Sequence, residues 1–489
     1  MNQSLPLLLT FGLLSCGRSP GVSGTDTASK TPPNVVLISL DTLRADHVSA
    51  YGYERETTPN LDALAKRGLL FERCYSAAPW TLSSHMTIMT GLYVDQHRVA
   101  APQKALSPEI PLLAERLSGA GYQSHALHSP GWIHEVHGFD RGFDIFGSHL
   151  NARLATQHLN ELMPLRDGDP WFLFLHVFDI HSAPIQDDSR LLYRPPKAYR
   201  DVFRAGSEAY FKEGDARRLW NGLDEPTEED LAALIALYDA GILYTDQRLG
   251  EWIELFEAEG VLENGVLVVT SDHGESLGQH GRVPDHGRLF EEGLHVPLVL
   301  FRSDAPGGGR RIERPVHHVD LVPTLLELCG LEIPDYLPGR SLFEEEVEPR
   351  TFSAVFRRDI ARIRYPLKFV NPQHELRSDS LLDLSRDPEE LRPIYKDDAD
   401  FARLSEELER SFEAQMEGLG VPGNGPIKAK ARTGPEQLER LRMLGYADAL
   451  DDPSGEGAPE PGAPNTEFPN TGTPNTDRAG PAGGPGGKF

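Results

Sequence analysis

The chain has 489 residues, which by length alone is enough for two or three domains. Its formal net charge of −26 argues against nonspecific binding to nucleic acid, because phosphates attract lysine and arginine. Three cysteines and no Cys-x-x-Cys pair exclude a disulfide scaffold and a zinc site built on that pattern.

The N-terminal residues have the composition of a targeting segment rather than of a folded element. An apolar run over residues 5–14 is too short to span a bilayer and leads into a Leu-Ser-Cys sequence that ends at Cys16. This ending resembles a bacterial lipobox, so we expect residues 1–16 to be a lipoprotein signal peptide, with lipid attached to the thiol of Cys16. The alternative is an ordinary signal peptide without a lipid anchor. The predicted location is lipid-anchored at the cell envelope, in the periplasm or at the outer membrane, and the anchor is the only membrane contact expected. Residues 17–33, rich in Ser, Thr, Gly and Pro, predict a flexible linker.

Apolar runs and amphipathic segments alternate along the next three hundred residues. This alternation predicts a layered α/β fold with a mainly parallel central sheet. The predicted strands cover residues 34–40, 121–127, 170–178, 265–271 and 297–301, and the predicted helices cover residues 60–68, 82–90, 110–121, 227–259 and 320–329.

The segment after this region has shorter and more alternating apolar runs. Residues 351–384 fit a small antiparallel sheet, and residues 400–416 and 435–444 fit helices. From about residue 450 the chain is rich in Pro, Gly, Asn and Thr and has little apolar surface to bury, so we expect disorder.

Acidic and imidazole side chains follow three of the predicted strands at the point where each strand ends. Asp41 follows the first, Asp179 and His181 follow the strand at 170–178, and Asp272 and His273 follow the strand at 265–271. Ligands of parallel sheets bind at the carboxyl ends of the strands, so this pattern predicts a metal site there.

Thr81 stands immediately before the predicted helix at 82–90, which Gly91 would terminate. The N-terminus of a helix favours an anion, so a hydroxyl there is placed to attack a bound phosphate or sulfate ester. The simpler alternative is that Thr81 only caps the helix.

These segments together resemble the sulfatase family of the alkaline-phosphatase superfamily. The resemblance covers roughly residues 33–447 and is carried by residues 40–47, 57–62, 81–91, 271–275 and 286–292, in the order typical of the family. It implies an alkaline-phosphatase-like three-layer sandwich over residues 34–345. It also implies a small C-terminal α+β subdomain with a short antiparallel sheet over residues 346–447, followed by a disordered tail over residues 448–489.

The resemblance also implies roles for single residues. Asp41, Asp272 and His273 would hold one divalent ion (Ca²⁺, Mg²⁺, Mn²⁺ or Zn²⁺), with Thr81 bridging the ion and the substrate. His181 and His286 would act at the ester or its leaving group. The site residues that the sequence predicts are therefore Thr81, His181 and His286 as catalytic groups, Ser84 and His85 as substrate-binding groups, and Asp41, Asp272, His273 and Thr81 as metal ligands.

The chain departs from the family at the nucleophile. Typical members carry Cys-x-Pro-Ser-Arg, or the same pattern beginning with Ser, and oxidise its first residue to formylglycine. Here Thr81 takes the first position, His85 takes the Arg position, and Thr42 replaces the second Asp of the usual pair. We therefore expect no formylglycine and a direct attack by the Thr81 hydroxyl.

The predicted function is an exported, metal-dependent, sulfatase-like hydrolase of sulfuric or phosphoric esters. Its substrate would be an ester of a small molecule, a glycan or a lipid. The alternatives are a phosphotransferase or phosphodiesterase acting on envelope lipids or glycans, and a non-catalytic sulfatase-like binding protein.

Overall fold

The computed structural model describes residues 31–149, 151–165, 168, 170–182, 193–203, 225–281, 286–304, 308–344, 348–372, 379–394 and 398–423. The predicted signal peptide, most of the linker, the helix predicted at 435–444 and the C-terminal tail lie outside these ranges.

The described residues form strands and α-helices that alternate along the first two thirds of the chain. The strands are β1 (Asn34–Leu40), β2 (Leu69–Tyr75), β3 (Gln123–His128), β4 (Ile145–Ser148), β5 (Trp171–Val177), β6 (Gly265–Thr270), β7 (His295–Arg302), β8 (Arg310–Ile312), β9 (Val316–His317), β10 (Phe352–Phe356), β11 (Asp359–Arg364), β12 (Leu367–Asn371) and β13 (Ser380–Asp383). The helices are α1 (Pro59–Ala65), α2 (Thr81–Thr90), α3 (Val94–His97), α4 (Leu113–Gly119), α5 (Ala152–Leu162), α6 (Lys197–Arg200), α7 (Glu228–Ala258), α8 (Glu291–Leu294), α9 (Leu321–Leu328) and α10 (Ala399–Met416).

The first nine strands form one sheet in the order β4-β3-β5-β1-β6-β7-β2-β8, with β9 also paired to β2. Strands β4, β3, β5, β1 and β6 pair in parallel, whereas β7 pairs antiparallel with both of its neighbours. The three strands predicted to carry the site are therefore adjacent, in the order β5-β1-β6.

Strand β1 shows why the sheet is covered on both faces. Its alternate side chains point to opposite faces, and all but the first are buried. Val36 and Ile38 pack in the core that contains α1, α5 and α7, whereas Val35 and Leu37 pack in the core that contains α2, α4 and α9. The predicted three-layer α/β fold with a mainly parallel sheet is thus confirmed.

A second, four-stranded antiparallel sheet follows in the order β10-β11-β12-β13. Helix α10 packs on it, with Phe401 and Leu408 against Phe369 and Leu381. This arrangement confirms the small C-terminal antiparallel sheet. In the described part of the chain, none of the helices combines the length and the apolar character that crossing a bilayer requires.

Candidate active site

The carboxyl ends of β1 and β6 bring three predicted metal ligands together. Asp41 follows β1 directly, and Asp272 and His273 follow the end of β6. The pairing of β1 with β6 is parallel and in continuous register, so both strands end at the same edge of the sheet. One ligand atom from each of the three side chains lies within 4.8 Å of the others, and all three residues are buried.

Helix α2 supplies the hydroxyl group. Trp80, in an extended conformation, precedes the helix and makes no side-chain cap, so Thr81 is the first helical residue and not the N-cap. The helix ends at Gly91, whose φ of 72° is left-handed, as the sequence predicted. Thr81 is 2% exposed, and its Oγ1 lies 3.2 Å from Nε2 of His273.

The ring of His273 is oriented by its own loop. Its Nδ1 lies 2.8 Å from the carbonyl oxygen of Gly274 and therefore donates to it, which leaves a lone pair on Nε2. That nitrogen lies 3.5 Å from Oδ2 of Asp272 and 3.9 Å from Oδ1 of Asp41. The lone pair of His273 thus faces the hydroxyl of Thr81 and both carboxylates.

In each of the two carboxylates, Asp41 and Asp272, one oxygen contacts a nitrogen of the protein and the other oxygen receives no hydrogen bond from the residues that the structure describes. Oδ1 of Asp272 accepts the backbone N–H groups of His273 (2.9 Å) and Thr42 (3.3 Å). Oδ2 of Asp41 lies 2.9 Å from Nε2 of His176. Among the described residues, the buried Oδ1 of Asp41 and Oδ2 of Asp272 have no hydrogen-bond partner.

The electrostatics of this pair fit a bound cation. Burial, and then the charge of Asp272, raise the pKa of Asp41 well above its ordinary value, and burial likewise raises the pKa of Asp272. Two buried carboxylates with unsatisfied oxygens are stabilised by a divalent ion, which neutralises them and fills the open positions. Oxygen ligands suit Ca²⁺, Mg²⁺ and Mn²⁺, and one imidazole favours Mn²⁺ or Zn²⁺.

The two predicted substrate-binding residues contact the protein on the inner side of α2. Ser84 donates from Oγ to the carbonyl oxygen of Asp272 at 2.6 Å. His85 donates from Nδ1 to the carbonyl oxygen of Thr81 (2.9 Å), and its Nε2 lies 2.9 Å from Oγ of Ser39. Both side chains are fully buried, and the contacts with Asp272 and Ser39 hold α2 against the ends of β6 and β1. A contact of either residue with substrate stays a prediction.

The two predicted catalytic histidines lie next to His273. The ring of His286 stacks on that of His273 with the centroids 5.1 Å apart, and the ring of His181 meets His286 edge-on at 4.8 Å. Burial lowers the pKa of His181 to about 3. The structure therefore brings both predicted histidines to the cluster formed by Thr81 and the three metal-ligand candidates.

Glu275 is a buried carboxylate that lies beside His286 and His181. Its Oε2 accepts the hydroxyl of Tyr193 at 2.6 Å, its Oε1 accepts the hydroxyl of Ser182, and Nδ1 of His286 lies 3.6 Å from Oε1. Burial opposes ionisation of Glu275, but the hydrogen bond and charge of His286 and the nearby His181 outweigh it and lower the pKa of the carboxyl to about 2. Glu275 is thus a buried negative group placed beside His286.

Glu275 and His176 are not among the residues predicted for the site, because an interior position in an apolar strand favours a packing role for His176. His176 is indeed buried, yet it also contacts Asp41. The signal was present, because His176 is the one imidazole in an otherwise apolar strand next to β1. Glu275 stands in the segment 271–275 that carried the family resemblance, and only the fold shows what it contacts.

Asp179, which the sequence places after β5, and His280 lie away from this cluster of contacts. Oδ2 of Asp179 accepts the backbone N–H of Ala152 at 2.7 Å and so anchors the start of α5. His280 stacks on Phe290 with the centroids 3.6 Å apart, and its Nδ1 lies 2.9 Å from a carboxylate oxygen of Glu292. Both side chains have contacts that account for their positions.

Comparison with known proteins identifies the family. The model of the Sulfatase family matches residues 33–331. The chain is 24% identical to an uncharacterized sulfatase of Escherichia coli over 446 residues, which cover 80% of this chain and 88% of the relative. It is 23% identical over 417 residues to an N-acetylglucosamine-6-O-sulfatase of Bacteroides thetaiotaomicron, covering 69% of this chain and 74% of the relative.

Solved structures show the same fold. The crystal structure of a phosphonate monoester hydrolase of Agrobacterium radiobacter superposes with a TM-score of 0.61 at 23% identity, covering 78% of this chain and 96% of that one. This likeness confirms the alkaline-phosphatase-like fold predicted from the sequence. The family match spans more than half of the chain and includes both strands that carry the metal-ligand candidates. The chain therefore belongs to the sulfatase family of ester hydrolases.

Proposed function

We propose that this protein is a metal-dependent hydrolase of sulfuric or phosphoric esters and that Thr81 is its nucleophile. One observation carries the proposal: Oγ1 of Thr81 lies 3.2 Å from the His273 nitrogen that also faces Asp41 and Asp272. A hydroxyl in this position stands both at the N-terminus of α2 and beside the ligand cluster.

Asp41, Asp272 and His273 would hold the divalent ion, with Thr81 completing the set. The ion would neutralise the oxygens of the ester and lower the pKa of the hydroxyl that attacks. With Nε2 of His273 engaged as a ligand, the proton of Thr81 would leave to solvent.

The reaction then has two displacements at phosphorus or sulfur. The Thr81 oxygen attacks, a new bond from Oγ1 forms, and the bond to the alcohol oxygen breaks as His286 gives that oxygen a proton, while His181 would contact the ester. Water next attacks the same atom, which releases phosphate or sulfate and returns the hydroxyl of Thr81. The free N–H groups of the first turn of α2 would stabilise the negative oxygens in both steps.

Threonine also changes which ester we expect to turn over fastest. Formylglycine hydrate carries a second hydroxyl on the same carbon, so it releases sulfate by collapse to the aldehyde. Thr81 lacks that hydroxyl and needs a second attack on phosphorus or sulfur. We therefore propose that phosphate esters react faster than sulfate esters with the same leaving group.

Two alternatives are distinguished by the products. A phosphotransferase acting on envelope lipids or glycans would modify an acceptor instead of releasing phosphate or sulfate. A non-catalytic binding protein would give neither product, and the retention of Thr81 among the three metal-ligand candidates argues against it.

The remaining proposals concern the organisation of the chain. We propose an N-terminal lipid anchor on Cys16, a catalytic domain over residues 34–345 and a C-terminal subdomain over residues 346–447. The start of the antiparallel sheet at Phe352 supports the boundary between the last two.

The experiment that tests the proposed nucleophile compares Thr81→Ala with Thr81→Ser. Thr81→Ala is expected to lose turnover by about 10³-fold or more while it keeps its fold and its bound metal, because the attacking oxygen is gone. Thr81→Ser should keep part of the turnover, since its hydroxyl remains without the methyl group that restricts its rotamer.

Intact-mass analysis after acid quenching supplies the direct readout. It should show a covalent phospho-threonine or sulfo-threonine in the wild-type enzyme and none in Thr81→Ala. Equal turnover of the best substrate by wild type and Thr81→Ala would show that Thr81 is not the nucleophile.

A further inference from the structure

His176 is a polar side chain near the carboxyl end of the buried strand β5, next to the candidate metal ligand Asp41. It lies in β5, in register with Ser39 of β1, and it is 2% exposed. Its Nε2 is 2.9 Å from Oδ2 of Asp41, and among the described residues its Nδ1 has no hydrogen-bond partner. The ionised carboxylate, which is the form that binds a cation, can only accept, so Nε2 carries the proton and donates a hydrogen bond to Asp41.

We propose that His176 is a positioning residue that holds the carboxylate of Asp41 by one oxygen and so turns the other toward the metal. The inference deepens the proposed function, because it rests on Asp41 being a metal ligand. The hydrogen bond occupies Oδ2, and the remaining oxygen, Oδ1, is the one that lies 3.9 Å from Nε2 of His273. Partners of this kind fix the orientation of a ligand and strengthen its hold on the ion.

The surroundings keep the ring of His176 in this orientation. The ring meets that of His85 edge-on, with the centroids 4.8 Å apart and an interplanar angle of 83°. The backbone around His176 is fixed by continuous parallel pairing with β1 and with β3. The imidazole therefore has little freedom to leave Asp41.

A second reading of the same residues is a second metal site. His85, His176 and Asp272 also present ligand atoms within 4.8 Å of one another. Both ring nitrogens of His85, however, already contact Thr81 and Ser39, and Nε2 of His176 contacts Asp41. The positioning role uses these contacts as they stand, whereas a second ion would have to break them.

The test measures binding of Mn²⁺ to metal-free protein by isothermal titration calorimetry, which needs no turnover. His176→Leu removes the donor, and the affinity for Mn²⁺ should fall by about 10–100-fold. His176→Gln places an amide N–H near the position of Nε2 and should recover most of that loss. His128→Leu is the matched control, because His128 is 3% exposed and pairs in register with His176 on the neighbouring strand. It should bind Mn²⁺ as the wild type does.

Each other outcome overturns the inference in a different way. Wild-type affinity in His176→Leu would show that His176 does not position Asp41, while the proposed metal site would stand. An equal loss in His128→Leu would assign the effect to general disturbance of the core. Two ions per wild-type chain and one per His176→Leu chain would make His176 a ligand. No binding of Mn²⁺, Mg²⁺, Ca²⁺ or Zn²⁺ by the wild type would refute the proposed metal dependence itself.

Discussion

Replacing Asp272 by Asn should separate metal binding from folding more cleanly than replacing it by Ala. Oδ1 of Asp272 accepts two backbone N–H groups, and an amide oxygen can keep both. Oδ2 has no hydrogen-bond partner among the described residues, so removing its charge gives up no hydrogen bond there. The variant should also relieve the repulsion with Asp41. We therefore expect metal-free Asp272→Asn to be at least as stable as metal-free wild type.

Asp272→Asn should, in contrast, weaken metal binding and so lose the stabilisation that a bound ion provides. A ligand at 100 times its Kd stabilises a protein by about 2.7 kcal/mol. An unfolding entropy of about 2.1 cal/mol/K per residue gives about 1 kcal/mol/K for a chain of 489 residues. The melting temperature of the wild type should thus rise by about 3 °C when the ion is added, and that of Asp272→Asn should rise little or not at all.

Differential scanning calorimetry with and without a chelator measures both effects on the same samples. Metal analysis of the purified proteins provides the control, because bound metal should fall along with the thermal shift. The reasoning fails if Asp272→Asn keeps the full rise in melting temperature at the same ion concentration. It fails equally if the metal-free variant unfolds well below the metal-free wild type.

Three further predictions follow from the site and the N-terminus. Glu275→Gln should lower kcat by roughly tenfold or more with little change in the affinity for metal, because it removes the negative charge beside His286. Steady-state kinetics and calorimetry measure these two quantities, and an unchanged kcat would contradict the prediction. The wild type should cleave 4-nitrophenyl phosphate with a higher kcat/KM than 4-nitrophenyl sulfate, and a severalfold preference for sulfate would contradict the double-displacement argument. Cys16→Ser should move the protein from the membrane fraction to the soluble fraction or block its processing, whereas unchanged fractionation and mass would exclude the lipid anchor.

The strands that the sequence predicted are those whose burial forces an apolar composition. Strands β1, β5 and β6 lie in the middle of the sheet, and their residues are almost all buried. Two of the strands that it missed are short and exposed: β8 has three residues, two of them exposed arginines, and β4 has four residues, none of them buried. It also missed β2, a strand of seven residues whose apolar run is interrupted by Glu72 and Arg73. At the margin of a sheet, hydrogen bonding to a neighbour decides the structure, and composition carries little of that information.

Some residues of the candidate site could be predicted from the sequence, and others could not. Strand ends located Asp41, Asp272 and His273, because parallel strands deliver their following residues to one edge. The family pattern suggested substrate contacts for Ser84 and His85, which stay a prediction, and it gave no information on their contacts within the protein. In the structure Ser84 contacts the backbone carbonyl of Asp272, and His85 contacts the hydroxyl of Ser39. The positions of Glu275 and His176 depend on which strands are neighbours, and only the fold supplies that.

The adjacency of β1 and β6 has a consequence for how the protein would acquire the proposed metal ion. The two strands are neighbours in the sheet, yet the residues that follow them, such as Thr42 and Asp272, are 230 positions apart in the chain. A nascent or partly folded chain that lacks β6 holds Asp41 but neither Asp272 nor His273. The cluster is therefore complete only after β1 and β6 have paired, and before that the proposed ion would lack two of its three candidate ligands. Added metal should slow unfolding while leaving the rate of refolding nearly unchanged. The ion would then stabilise the completed sheet without helping it to form.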